Sequence, residues 1–275
     1  MISVLQLGTV DYATGLRLQQ RLVDLRKEGR IGDVLLLLEH SPVITLGRNA
    51  KSANIIASAE ELAKRGVEVF DCDRGGDVTF HGPGQLVGYP IFDLRGDLRD
   101  VTSSTGQRKT LGAVEFVRRL EEVLIRTCAD FGIPTKRICG LTGVWTDPPP
   151  ISSRAEPSDL AFPEAKIAAL GVHISRAVTS HGFALNVNTD LDYFHLIIPC
   201  GITSKPVTSM GKELGKQIPL QEVAYAVSRN FGVVFQSQML WLETIDALMS
   251  PQVGVPMKPP AELRRLAGEE DSFLA

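Results

Sequence analysis

The chain has 275 residues, 44% of them hydrophobic and 22% charged, and its 29 basic and 32 acidic side chains leave a formal net charge of −3. This composition fits a globular protein with a sizeable core, as one large domain or two small ones. It gives no electrostatic reason to expect nucleic acid or an anionic membrane as partner. The longest strongly apolar run, Val34 to Leu38, is too short to span a bilayer.

In chain order, Met1 to Gln6 lack the basic region and long apolar stretch of a secretory signal, so a cytoplasmic protein with reduced thiols is expected. Asp11 caps a helix carrying Leu16, Leu22 and Leu25 at helical spacing, which runs out near Gly29 and Gly32. Asp33 to Glu39 reads as a buried strand and Val43 to Leu46 as a second. Ser58 to Glu61 has the form of a capping box and opens a short helix that stops at Gly66. Val67 to Phe70 and Leu86 to Leu94 read as strands. Between them Arg74 to Tyr89, with five glycines, reads as loop. Leu111 to Phe131 is the strongest helix, with Val114, Val117, Leu120, Leu124 and Cys128 on one stripe and Gly132 as its stop. Short strands follow at Lys136 to Cys139, Gly143 to Thr146, Lys166 to His173 and Phe183 to Asn188. Asp147 to Pro163, rich in Pro, Ser and acidic residues, reads as an exposed insertion. Gln221 to Phe231 reads as helix, Val233 to Phe235 as strand, and Met239 to Met249 as a last helix. Residues 1–249 are expected to form the folded domain and 250–275 a loosely attached tail. The irregular mixing of strands and helices favours an α+β or mixed-sheet fold over a doubly wound parallel one.

Two segments suggest chemistry. Arg74-Gly75-Gly76-Asp77-Val78-Thr79-Phe80-His81 combines glycines, which let backbone N–H groups approach a ligand, with a guanidinium, a hydroxyl and an imidazole. It is neither a Walker loop nor a dinucleotide fingerprint. The same segment also fits a glycine-rich hairpin around a satisfied histidine. Pro199-Cys200-Gly201 places a thiol in a turn behind an apolar run, where a nucleophile would sit. A free thiol is mostly protonated at neutral pH and needs a cation or base beside it. Lys166, the only charge in the apolar stretch Ala165 to Val172, is a candidate, either held in a cleft or reaching to water from a strand end. His181 and Gly182 either line the same cleft or form a plain turn, while His40, His173 and His195 read as structural. Cys128 and Cys139 read as core, and Cys72 beside the glycine segment has no assigned part. No CxxC or paired-histidine spacing is present, so no metal site is expected.

Together these segments closely resemble the lipoyl(octanoyl) transferase family. The resemblance runs from about Val4 to Phe235 and rests on Leu38 to Val43 with Gly47-Arg48, on Arg74 to Pro90, on Gly143-Val144-Trp145, on Lys166 to Gly171, on His181 to Val187 and on Pro199-Cys200-Gly201. It implies an α/β fold shared with biotin and lipoate protein ligases: a central mixed sheet with helices, and a smaller second sheet. It also implies transfer of an octanoyl group from octanoyl–acyl carrier protein to a lysine of lipoyl domains. Those domains belong to 2-oxoacid dehydrogenases and to the glycine cleavage H protein. No cofactor, nucleic acid or membrane is expected to take part. By the same resemblance Cys200 is the nucleophile and Lys166 its partner. Arg74 to His81, Ala169-Leu170-Gly171 and Gly182-Phe183-Ala184 form the acyl pocket. The rival readings are an ATP-using lipoate or biotin ligase on the same fold, a cysteine hydrolase, and a non-catalytic module that binds acyl carrier or lipoyl domains.

Overall fold

A computed structural model of the chain describes residues 1–95, 110–147, 164–198 and 205–249. Cys200, most of the expected insertion and the expected tail lie outside the described residues. The strands are β1 (Ile2–Val10), β2 (Asp33–His40), β3 (Val43–Leu46), β4 (Glu68–Asp71), β5 (Val78–His81), β6 (Gln85–Ile91), β7 (Thr135–Ile138), β8 (Leu141–Thr146), β9 (Lys166–Ser175), β10 (Val178–Asn186) and β11 (Met239–Leu242). The helices are α1 (Tyr12–Lys27), α2 (Ala59–Lys64), α3 (Ala113–Asp130), α4 (Met210–Leu214) and α5 (Leu220–Val234).

Eight strands form one mixed sheet in the order β11-β1-β2-β6-β10-β9-β8-β7, and β4-β3-β5 form a second, smaller one. β1 runs parallel to both neighbours, and every other pairing in the large sheet is antiparallel. β2 shows why the centre is stable. Its consecutive apolar residues alternate faces, as a strand must. Val34, Leu36 and Leu38 join the core beneath α1, and Leu35 and Leu37 join the core beneath α3 and α5. All five are essentially without exposure. Each such side chain contributes roughly 1.5–3 kcal/mol on burial.

The helix ends follow the sequence chemistry. Asp11 accepts from Thr14 N at 2.8 Å to start α1, and Ser58 accepts from Glu61 N at 3.2 Å to start α2. Gly132, at φ +77°, follows the last turn of α3. Several expectations need correction. Val114 is exposed and Val117 only half-buried, while Leu120, Leu124 and Cys128 are buried as expected, together with Phe116, Val123 and Thr127. Val233 and Val234 continue α5 rather than forming a strand. Met239–Leu242 is a strand on the sheet edge, where pairing with β1 overrides helical spacing, and only Ile245–Met249 is a 3-10 turn. Cys139 is exposed rather than core. β1 and β5 were not anticipated; the glycines around Val78–His81 mask a four-residue strand with every residue buried.

Candidate active site

The small sheet packs against β9 and β10 and leaves a cavity between them. Its walls include Gly76, Asp77, Thr79 and His81 from the glycine segment, Ala169 to Gly171 from β9, and His181 to Ala184 from β10. A smaller recess shares the walls Thr79, Ala169 and Ala184, and adds Gln85, Lys166, Asn186, Phe194 and Val207. Three segments far apart in sequence thus converge on one slot.

The close approach depends on Gly171. A Cβ there would stand 2.5 Å from the Gly75 carbonyl oxygen, so only glycine lets β9 meet the loop. Gly75 N in turn donates to Val172 O at 3.1 Å. Arg74 is buried and spends its guanidinium on the small sheet: Nε donates to Thr45 Oγ1 at 3.1 Å, and Nη2 to Thr45 O and Oγ1 at 2.6 and 2.8 Å. Asp77 ties the loop, accepting from Asn54 Nδ2 at 2.7 Å and from Val78 N at 2.7 Å. Val78 and Phe80 point to the other face of β5 and pack in the small-sheet core, away from the cavity.

The polar end of the cavity holds residues that sequence reasoning did not single out. Tyr12 and Tyr89 are buried there, and burial pushes both phenols up. His40 donates from Nδ1 to Val10 O at 2.7 Å, which leaves Nε2 to accept from the Tyr89 hydroxyl at 2.6 Å. Burial lowers the pKa of His40. His81 is pulled down to about 3, first by burial and then by its neighbours His40 and Arg74, which disfavour a further positive charge. Nothing in the sequence marks Tyr12, which stands out only once the fold makes His40 and His81 its neighbours.

His181 lines the cavity rather than forming a plain turn. It sits mid-strand at φ +54°, a left-handed conformation that costs about 1–3 kcal/mol and collects at functional sites. Its backbone N–H donates to Gln19 Oε1 at 2.7 Å, and its Nε2 lies 2.7 Å from Asp73 Oδ1. His173 accepts from Arg48 Nη2 at 2.8 Å, and His195 is exposed.

Lys166 is 8% exposed, so it is held in the cleft rather than reaching to water. Its Nζ lies 4.8 Å from the centre of the buried Trp145 ring, a cation–π contact. Lys205 Nζ lies over the same ring at 5.8 Å and pairs with Glu164, which also binds Lys136 at 2.8 Å. Those two lysines hold the Glu164 carboxyl down at about 2. The chain returning at Lys205 is locked to β9: Lys166 N donates to Pro206 O at 2.8 Å, and Thr208 N to Lys166 O at 3.0 Å. Ile198, two residues before Cys200, donates from its N to Asn54 O at 2.7 Å. Among the described residues no group of three or more His, Cys, Asp or Glu could hold a metal ion, and no helix is long and apolar enough to cross a membrane.

A mixed sheet with helices, a small second sheet and an apolar slot at their junction define the lipoate protein ligase fold. A bipartite lipoate protein ligase from Thermoplasma acidophilum matches it with a TM-score of 0.63 at 17% identity, covering 90% of this chain and 91% of that one. A lipoate-protein ligase A bound with ATP matches with a TM-score of 0.60 at 15% identity, over 90% and 93%. The sequence carries the assignment further: residues 11–232 match the lipoyl protein ligase A/B catalytic domain, and the chain belongs to that family. It is 61% identical over 274 residues, the whole of both chains, to an octanoyltransferase of Koribacter versatilis. It is 54% identical to one of Acidobacterium capsulatum, over 90% of this chain and 96% of that protein.

Proposed function

We propose that this chain is an octanoyltransferase that loads an octanoyl group from octanoyl–acyl carrier protein onto Cys200 and passes it to a lysine of a lipoyl domain, in the cytoplasm. The acceptors are the lipoyl domains of 2-oxoacid dehydrogenases and the glycine cleavage H protein. The observation that carries this reading is the apolar slot adjoining the recess of Lys166, in a chain alike end to end to proteins named octanoyltransferase. Residues 1–249 supply the catalytic domain.

In this mechanism Lys166 takes the Cys200 Sγ proton, and the thiolate attacks the thioester carbon. The carrier sulfur leaves and recovers a proton from Lys166, giving octanoyl-Cys200. The acceptor amine then attacks that carbon and loses a proton to Lys166. The amide forms as Cys200 leaves as thiolate. Backbone N–H groups stabilise each oxyanion, at roughly 3–4 kcal/mol for one donor. Thioester exchange is nearly balanced and amide formation from a thioester is downhill, so ATP has no part. The kinetics are ping-pong.

Intact-mass measurement tests it. Without ATP, octanoyl–acyl carrier protein should raise the mass of the enzyme by one octanoyl group, and apo lipoyl domain should discharge it. Cys200→Ala should show neither step. Normal turnover by Cys200→Ala would defeat the covalent route. Acylation only with free octanoate and ATP would assign the ligase reaction instead, and release of octanoate to water a hydrolase.

A further inference from the structure

A buried hydrogen-bonded chain runs from the cavity wall to the backbone of Lys166. His81 Nδ1 lies 2.7 Å from Gln85 Oε1. Gln85 Nε2 lies 3.1 Å from Phe80 O and 2.9 Å from Asn186 Oδ1. Asn186 Nδ2 lies 3.0 Å from Thr208 O, and Thr208 N donates to Lys166 O at 3.0 Å. His81, Gln85, Asn186 and Thr208 are all buried.

The direction of every bond in this chain is fixed. Backbone carbonyls only accept, so the amide nitrogens of Gln85 and Asn186 must face Phe80 O and Thr208 O. Gln85 Oε1 is then an acceptor, and His81 Nδ1 must carry the hydrogen. Burial keeps the ring neutral, so His81 Nε2 bears a lone pair. An octanoyl thioester carbonyl is itself an acceptor and has nothing to give that lone pair. The amine that attacks in the second step brings N–H donors. Gln85 and Asn186 also line the recess around Lys166, and His81 lines the adjoining slot.

We propose that Gln85 and Asn186 are positioning residues for the transfer half-reaction: they hold His81 as the Nδ1–H tautomer, and its Nε2 accepts an N–H of the incoming amine. This rests on the acyl-transfer reading above. A neutral ring this hard to protonate is too weak a base to remove the amine's proton, so it aims the lone pair of the amine and leaves the proton to Lys166. Gln85→Leu removes both links at once. His81→Asn keeps a donor toward Gln85 and lacks an acceptor where Nε2 stood.

The test separates the two half-reactions by rapid-quench intact mass and reads the tautomer by ¹⁵N NMR of His81. Wild type should show one neutral form with the hydrogen on Nδ1, and Gln85→Leu a mixture. In Gln85→Leu and His81→Asn, transfer to the lipoyl domain should slow at least roughly tenfold more than loading, because the loss is one of aim. Equal slowing of both steps would overturn the proposal, and so would a wild-type His81 with its hydrogen on Nε2. The wild-type tautomer decides even if Gln85→Leu does not fold. A wild-type enzyme that never loads would overturn the acyl-transfer reading and this proposal with it, whatever the tautomer.

Discussion

Replacing Gly171 by alanine tests the contact that closes the slot. The new methyl would sit 2.5 Å from Gly75 O and 3.4 Å from Arg74 Cδ. Restoring an ordinary 3.4 Å contact requires the loop to withdraw by about 0.9 Å. The loop is not free to do so, because Gly75 N is bonded to Val172 O at 3.1 Å and Arg74 is anchored on Thr45. A withdrawal of that size carries the first bond beyond hydrogen-bonding range, at about 1 kcal/mol. Overpacking adds about 1–3 kcal/mol. Gly171→Ala should therefore lose about 2–4 kcal/mol, which for a chain of this size lowers Tm by roughly 5–15 °C. Urea denaturation should show a lower midpoint at unchanged slope, and the rate of octanoyl loading should fall as the wall shifts. Gly32→Ala, where a Cβ meets nothing within 4 Å, is the control and should stay within about 0.5 kcal/mol of wild type. If Gly171→Ala matches that control in stability and loads at the normal rate, the loop and β9 do not meet as described.

Glu121 is fully buried and accepts from Arg118 Nη1 at 2.7 Å, Arg137 Nε at 3.2 Å and Gly143 N at 3.1 Å. Glu121→Ala should destabilise by about 3 kcal/mol, the low end for breaking a buried pair, since both arginines can turn to water; a denaturation midpoint within error of wild type would sink this account. The neutral histidines predict an acid sensitivity above the carboxylate range. His81, His40 and His181 all have pKa values depressed mainly by burial, so below about 6.5 the unfolded chain binds protons that the folded rings refuse. Their contribution is complete above about pH 6.5 and is lost as pH falls below it, for His81 down to about 3, by at most ~1.4 kcal/mol per pH unit for each ring. Urea midpoints measured between about pH 7 and 5.5 should fall with pH, and a flat profile would mean that these rings protonate freely in the fold.

Much of the scaffold was legible because its causes are local. Asp11 and Ser58 cap helices where their side chains predict, and the leucine run of β2 reads as buried because both faces of the strand are covered. What failed depended on partners far away in sequence. Met239–Leu242 has helix-compatible residues and becomes a strand because β1 offers an open edge. In α3 the true stripe is set by Phe116 and Val123, which face the β-sheet, while Val114 lies past the rim of the contact. The site divides the same way. The glycine segment announces a close approach, but nothing local says that Arg74 serves Thr45, or that Val78 and Phe80 point away from the slot. Gln85 and Asn186 look like ordinary strand amides until the fold joins them across the sheet.

Lys166 shows how an irregularity can put a functional residue where period-two reading would not. On a regular β9, Lys166 would share a face with Ala168, Leu170 and Val172, which belong to or pack on the core under α3 and α5. A lysine there would be buried among apolar side chains. The register between β8 and β9 shifts instead: Val144 pairs with Ala168 and the next residue, Trp145, with Lys166. One extra residue, Ile167, is thus accommodated on β9, a bulge of the kind found beside active sites. It exchanges the faces on either side of it, so Lys166 joins Ala169 on the wall of the recess while Ile167 and Ala168 both stay in the core. Trp145, across from Lys166, then offers its ring face to the ammonium. The same shift explains why a single charge in an apolar stretch does not mark a strand end exposed to water. It marks the point where the strand turns its polar residue toward the slot.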